Sequence, residues 1–361
     1  MSDIPTDIPE TKNIQQVDFE RVTLLVTSEF QIEESLIDQG IPTYYLKWPQ
    51  ETKQAFLRLL MKLKEINMIA FLRKVDRRVV LRVGEKPPVK PSNPRTYWLL
   101  FFATVATTFV TGYISFQESG LSPFLSGAIF SASILTVLGL HEMGHKITAN
   151  RKKVEATSPY FIPGWPPLGT LGAVIMQKSL PPNRDSLFDI GANGPILGFF
   201  VALIFSVVGL TLLIPVTTQP GSVGLPVPTS WIYLLAPALN SLNLLPPLGS
   251  NNGYAFHPVA WAGWVGMVVT MLNLLPAAML DGGHVAKSLV SDKLRYVLTI
   301  VSVVTLLLAG SEFWFFAFIV IFMSVFKHPG PLDDVSGLSR SRKLFTVGLV
   351  AIFVLSFPIR I

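Results

Sequence analysis

Cysteine is absent from this chain of 361 residues. Disulfides, iron–sulfur ligation and thiolate zinc sites are excluded with it. Charge is scarce as well: Asp, Glu, Lys and Arg make up 14% of the residues, against about 25% in a typical soluble domain. The scarcity is local. From Ile190 to Leu280 none of these four residue types occurs, whereas 14 of the 29 bases and 13 of the 23 acids lie before Pro94. What is abundant is apolar: 50% of residues are hydrophobic and the mean hydropathy is +0.49. This pattern describes a polytopic α-helical membrane protein with a small α+β soluble N-terminal domain. The net charge of +6 reads as a topology signal, and no nucleic-acid partner is expected. The first residues, polar and carrying Pro5 and Pro9, lack the charged-then-apolar layout of a signal peptide.

Four segments are expected: a disordered N-terminus (1–16), a cytoplasmic α+β domain (17–83), a Pro-rich linker (84–95) and a membrane domain (96–361). In the second, Thr43 to Trp48 is β-prone. Glu51 to Asn67 is an amphipathic helix with Ala55, Phe56, Leu59, Leu60, Leu63 and Ile66 at helical spacing. Two strands flank an Asp76-Arg77 turn. A spanning helix needs about 20 apolar residues. Candidate spans are Thr96 to Gln117, Ser119 to Leu140, Ile190 to Pro215, Pro258 to Leu280, Tyr296 to Ser311, Phe313 to Phe326 and Leu344 to Ile359, about seven in all. No internal repeat is visible.

Lysine and arginine orient them. Lys146, Arg151, Lys152, Lys153, Lys178 and Arg184 follow the second span, and Lys287, Lys293 and Arg295 follow the fourth. Val216 to His257 has no Lys or Arg. The positive-inside rule puts the basic loops and the N-terminal domain in the cytoplasm and the uncharged segment outside. Trp231 to Gly249 is apolar but broken by Pro237, Pro246 and Pro247; it reads as an interfacial or re-entrant segment on the outer face.

At the end of the second span stands His-Glu-Met-Gly-His, residues 141 to 145. His141 and His145, four apart, share one helix face, so both imidazoles can reach one metal, with Glu142 beside it. Ionisable groups inside a membrane are costly and default to function. Zinc needs a third protein ligand and an open position. The acids within reach of the membrane are Glu142, Asp185, Asp189, Asp281 and Glu312. Asp281 ends the uncharged run at the cytoplasmic end of the fourth span, on the same side as His141, and gives a His₂Asp zinc site. Glu142 is then the general base. Asn273, eight residues before Asp281, falls near the same face by helical spacing and is placed to bind an oxyanion or the substrate backbone.

These residues resemble the site-2 protease family of intramembrane zinc metalloproteases, which pairs an HExxH helix with an N/LDG helix. The likeness carries metal ligation onto His141, His145 and Asp281, the general base onto Glu142 and the active-site asparagine onto Asn273. Gly169 to Ile175, Pro181 to Gly198 and His257 to Trp264 also look like this family. They look most like its branch of "ethylene-dependent gravitropism-deficient and yellow-green" type proteins. The likeness is good over about Ser119 to Val290 and loose in the N-terminal domain. It implies cleavage of transmembrane-helix substrates within the bilayer, after local unwinding of the substrate helix. Gly169 to Val174, as an exposed edge, would pair with the unwound strand.

Other readings stand beside these. Asp281 suits a turn, and Asn273 suits an ordinary interhelical hydrogen bond. His284 is either a partner of the metal ligands or a helix-start residue; His257 reads as structural or interfacial, and His328 as a loop residue. Asp189 is expected to cap the third span. Gly191, Gly194 and Gly198 read as helix-packing residues. A metal-binding transporter or non-proteolytic scaffold is the alternative function, and a membrane-anchored zincin acting on soluble substrates is another. A prokaryotic plasma membrane is the default location, with a mature organellar form as the alternative. The oligomeric state is left open.

Overall fold

Asp76 and Arg77 take positive φ values of 46° and 68°, the backbone of a two-residue hairpin turn. The strands on either side belong to a four-stranded antiparallel sheet. The computed structural model describes residues 16–89, 91–117, 119–217, 229–230, 241–242, 244, 252–326 and 328–359. Its first part runs α1 (Gln16–Thr27), β1 (Ile32–Asp38), β2 (Ile41–Leu46), α2 (Lys53–Glu65), β3 (Met68–Val75) and β4 (Arg78–Glu85). The strand order is β1-β2-β4-β3. The apolar stripe of α2, with Ala55, Phe56, Leu59 and Leu63 buried, packs with Val22 and Val26 of α1 and with Tyr44, Leu72 and Leu81 of the sheet. β4 continues through Gly84 and Glu85, so the linker begins later than its composition suggests. The expected disorder before residue 16 lies outside the described residues.

Asn93, Ser122 and Asn183 each precede an apolar run, and each caps a long helix. Their side-chain oxygens accept from the backbone N–H of Arg95, Leu125 and Ser186, donors that a helix start otherwise leaves without partners. The helices are α3 (Pro94–Ser115), α4 (Pro123–Arg151) and α5 (Arg184–Thr211), and all three are long and apolar enough to cross a membrane. Asp189 therefore caps nothing. It lies a turn inside α5 and pairs with Arg342 through two contacts of 2.6 Å and with Lys152 at 2.6 Å.

Between α4 and α5 a short hairpin is formed by β5 (Tyr160–Pro163) and β6 (Thr170–Val174), antiparallel. After α5 come β7 (Ile214–Thr217), β8 (Thr229–Ser230) and β9 (Asn252–Ala255). They are followed by α6 (Pro258–Leu274), α7 (Asp281–Leu289), α8 (Asp292–Ala309), α9 (Trp314–Ser324), α10 (Arg340–Ser356) and β10 (Pro358–Ile359). The expected outer segment Trp231 to Gly249 falls almost wholly outside the described residues.

The burial of these helices is inverted relative to a soluble protein. The buried residues of α3 are Thr104, Thr108, Thr111 and Gly112, while Leu99, Phe102, Leu308, Phe318 and Val325 are 62–81% exposed. Small residues between helices and large apolar ones outward is the packing of a bundle in lipid. The expected helical membrane protein is found, but not the count of seven spans. Among the described residues three helices reach spanning length, and the apolar helices Pro258–Leu274 and Ser311–Ser324 are shorter. The fourth expected span does not run to Leu280. It ends at Leu274, before Pro276, and Asp281 starts a new helix.

Candidate metal centre

One helix turn separates His141 from His145 on α4, and α4 is unbroken to Arg151. His141 thus lies roughly 15 Å along the axis from the helix end. His141, Glu142 and His145 are all buried, at 3%, 7% and 8% exposure. Asp281 opens α7, and the chain reversal after Leu274 carries it back onto α4. Its Oδ2 lies 3.2 Å from His141 Nε2 and 3.2 Å from His145 Nε2. The three ligand atoms all lie within 4.8 Å of one another.

This donor set fits zinc. Bonds of about 2.0–2.1 Å at tetrahedral angles put neighbouring ligand atoms roughly 3.3 Å apart, and both His–Asp separations are close to that. The tautomer fits too. His145 Nδ1 lies 2.7 Å from the carbonyl oxygen of Ile190 on α5 and donates to it, which leaves the Nε2 lone pair for a cation. A ring nitrogen held by a carbonyl is the usual outer support of a metal-binding imidazole.

Room for the imidazoles comes from α5. A Cβ on Gly194 would lie 2.0 Å from His145 Nε2, and one on Gly198 would lie 2.5 Å from His141 Nδ1. Gly144 of α4 faces back: a Cβ there would meet the carbonyl oxygen of Asn193 at 2.5 Å. The glycines at 194 and 198 are therefore the floor of the site and not only packing residues. Their spacing on one helix face was the available signal. The Ile190 carbonyl left none, because any residue carries it.

Asn273 reaches the site by a different route from the one its spacing suggested. The helix breaks between it and Asp281, yet its Nδ2 stands 3.3 Å from His141 Nε2. The backbone of Ile175, just past β6, lies near Glu142, so the hairpin adjoins the carboxylate. His257 does not join the cluster; its Nδ1 accepts from Val259 N–H at the start of α6. His284 lies one turn after Asp281 and is 2.7 Å from His328, so the loop histidine proves to be a buried partner of the helix that Asp281 opens.

The match to known proteins falls on these elements. The pattern of Peptidase family M50 matches residues 129–310, from α4 through α8. The chain is 30% identical over 243 residues to "Probable zinc metalloprotease EGY2, chloroplastic" of Arabidopsis thaliana, covering 64% of this chain and 42% of that protein. It is 33% identical over 221 residues to "Probable zinc metalloprotease EGY1, chloroplastic" of Oryza sativa subsp. japonica, covering 61% and 36%. With the EGY1 protein of Arabidopsis thaliana it shares 34% over 169 residues, covering 45% and 30%. The matched region thus spans less than half the length of these relatives. No solved structure matches the chain.

Proposed function

Because the chain belongs to Peptidase family M50, we propose that it is an intramembrane zinc metalloprotease that hydrolyses peptide bonds within or near the transmembrane helices of membrane-protein substrates. The observation that carries this reading is the convergence of His141, His145 and Asp281 within an apolar bundle, with Glu142 alongside. A zinc ion held by the three ligands supplies Lewis acidity toward a peptide carbonyl and acidifies water.

The protein's own groups do the rest. Glu142 takes a proton from the attacking water and delivers it to the leaving amine. The Asn273 amide, beside His141 Nε2, donates to the developing oxyanion or to the substrate backbone. β6 pairs only with β5 among the described residues, and Leu171 and Val174 are exposed. Its open edge suits an unwound substrate segment by strand addition.

The seven-span reading takes α3, α4, α5, α6, α8, α9 and α10 as the spans, with the N-terminal domain and the active site on the cytoplasmic side. The expected prokaryotic plasma membrane draws no support from the relatives, whose names are chloroplastic; they favour a membrane of organellar type. A transporter or scaffold is not favoured, since such a protein has no use for an open ligand position beside a buried carboxylate.

The test is paired. Zinc bound per chain is quantified on detergent-purified protein, and single-span substrates are offered to the wild type and to Glu142→Gln. One zinc in both proteins, with cuts inside the test helix only in the wild type, is the expected result. A folded wild type without zinc would sink the mechanism.

A further inference from the structure

A second polar feature lies away from the metal centre, where the N-terminal domain meets the membrane helices. A cavity of about 550 Å³ is lined there by Lys64 of α2, Lys146 of α4, Lys153 just past α4 and Lys178 past β6. They come from three parts of the chain, Lys146 and Lys153 sharing the end of α4. One carboxylate, Glu155, shares the lining. It already has a counter-ion: Lys86 Nζ is 2.7 Å from its Oε1. That ammonium holds the Glu155 carboxyl below the usual carboxylate range, against the opposing effect of burial. The lining therefore sets four lysines against one carboxylate, with the Lys146 ammonium donating to the Ala156 carbonyl of the same lining.

The cavity's level is set by the chain. Pro91, which also lines it, precedes the first residue of α3 by three positions, and Lys153 follows the last residue of α4 by two. Two helices long and apolar enough to cross a membrane end here, which on the topology proposed above puts the cavity at the membrane surface. No aromatic ring is among its lining residues, so it has no platform on which a nucleobase would stack. Helix C-termini favour a lysine apiece, which accounts for Lys64 and Lys153 singly.

We propose that this lysine-lined cavity binds a phosphate-bearing anion at the membrane surface, either the phosphodiester headgroup of an anionic lipid or a free phosphate. Lysine is a compact, strongly hydrated point charge that suits a phosphate oxygen. Juxtamembrane lysines contribute to anionic-lipid binding in the same way.

The test is titration calorimetry on the full chain in neutral detergent. The probes are dihexanoyl phosphatidylglycerol, dihexanoyl phosphatidylcholine and inorganic phosphate. Two variants are compared with the wild type, both at exposed positions outside the metal centre. Lys64→Gln/Lys153→Gln removes two cations and should weaken the anionic lipid by on the order of tenfold or more, at roughly fivefold per lysine. Glu155→Gln removes the one carboxylate and should tighten binding severalfold. That opposite sign is something a misfolded variant cannot give. Rising salt should weaken binding in the wild type. Binding of phosphatidylglycerol alone assigns the site to a lipid headgroup, and inorganic phosphate competing for it assigns the site to a free anion. The proposal is overturned if neither anionic probe binds, if phosphatidylcholine binds as tightly as phosphatidylglycerol, or if both variants match the wild type.

Discussion

A methyl group on Gly194 would stand 2.0 Å from His145 Nε2, the nitrogen that faces Asp281. No side chain can occupy that space while the imidazole stays where it is. The ring is the far end of a side chain, so it can swing aside and the fold can survive. Gly194→Ala should therefore cost the His145 bond to the Ile190 carbonyl, lower the melting temperature modestly and weaken zinc at least tenfold, in the range of lost outer support at a metal site. Gly139→Ala is the control, because its added Cβ meets only Phe161 Cζ at 3.5 Å. Equal zinc affinity in both variants would remove Gly194 from the site.

Asp281 is the hinge of the ligand set, since one oxygen approaches both imidazoles. Asp281→Ala should abolish stoichiometric zinc, while Asn273→Ala should retain zinc and lose turnover. Elemental analysis of the purified proteins separates them. Full zinc in the Asp281 variant would mean that another residue completes the site. Unchanged kinetics in the Asn273 variant would return that residue to packing.

Much of the centre was legible because its chemistry is improbable in lipid. Two histidines and a glutamate within five residues at the end of an apolar run, and one aspartate ending a long uncharged run, have few other uses. The amphipathic α2 and the β3-β4 hairpin were legible from periodicity and the Asp76-Arg77 turn. What escaped depends on tertiary placement. Helical spacing was the wrong argument for Asn273, because the helix ends before Pro276; the chain reversal after Leu274 instead brings Asp281 to the same histidine that Asn273 approaches. Asp189 resembled a cap, but its true partner, Arg342, lies 153 residues away. His328 looked like an idle loop residue because nothing in its neighbourhood announces His284.

His328 allows a prediction about support of α7. Gly330 N–H donates to His328 Nδ1 at 3.0 Å, so in the neutral ring the proton sits on Nε2 and is donated to His284 Nδ1, 2.7 Å away. His328→Leu strands a buried acceptor next to the helix that carries Asp281. The expected cost is about 1–3 kcal/mol of stability, read as a lower melting temperature, together with faster zinc release to a chelator. His328→Gln can donate again and should recover part of both. If the leucine variant matches the wild type in both measurements, the pair plays no supporting role.

The loop after α9 also joins the N-terminal domain to α7, the helix that Asp281 opens. Leu332 is 5% exposed and completes the core of the first sheet. Its carbonyl accepts from Leu72 N–H at 2.9 Å, and Asp334 N–H returns a bond to the Leu72 carbonyl at 3.1 Å, so the segment pairs with β3 in parallel. On its other side the Asp334 carboxylate meets Arg184 at 3.0 Å and Lys287 of α7 at 3.2 Å. Leu332→Ala leaves a hole in that core, with a loss of about 2–5 kcal/mol for a buried leucine. Docking of the domain should loosen. Two measurements follow: limited proteolysis in the linker at 86–93 should accelerate, and chelator-driven zinc release should accelerate with it. Faster cleavage with unchanged zinc release would show that the domain docks on the bundle without bearing on α7. Val350→Ala, at an exposed position of α10, should change neither.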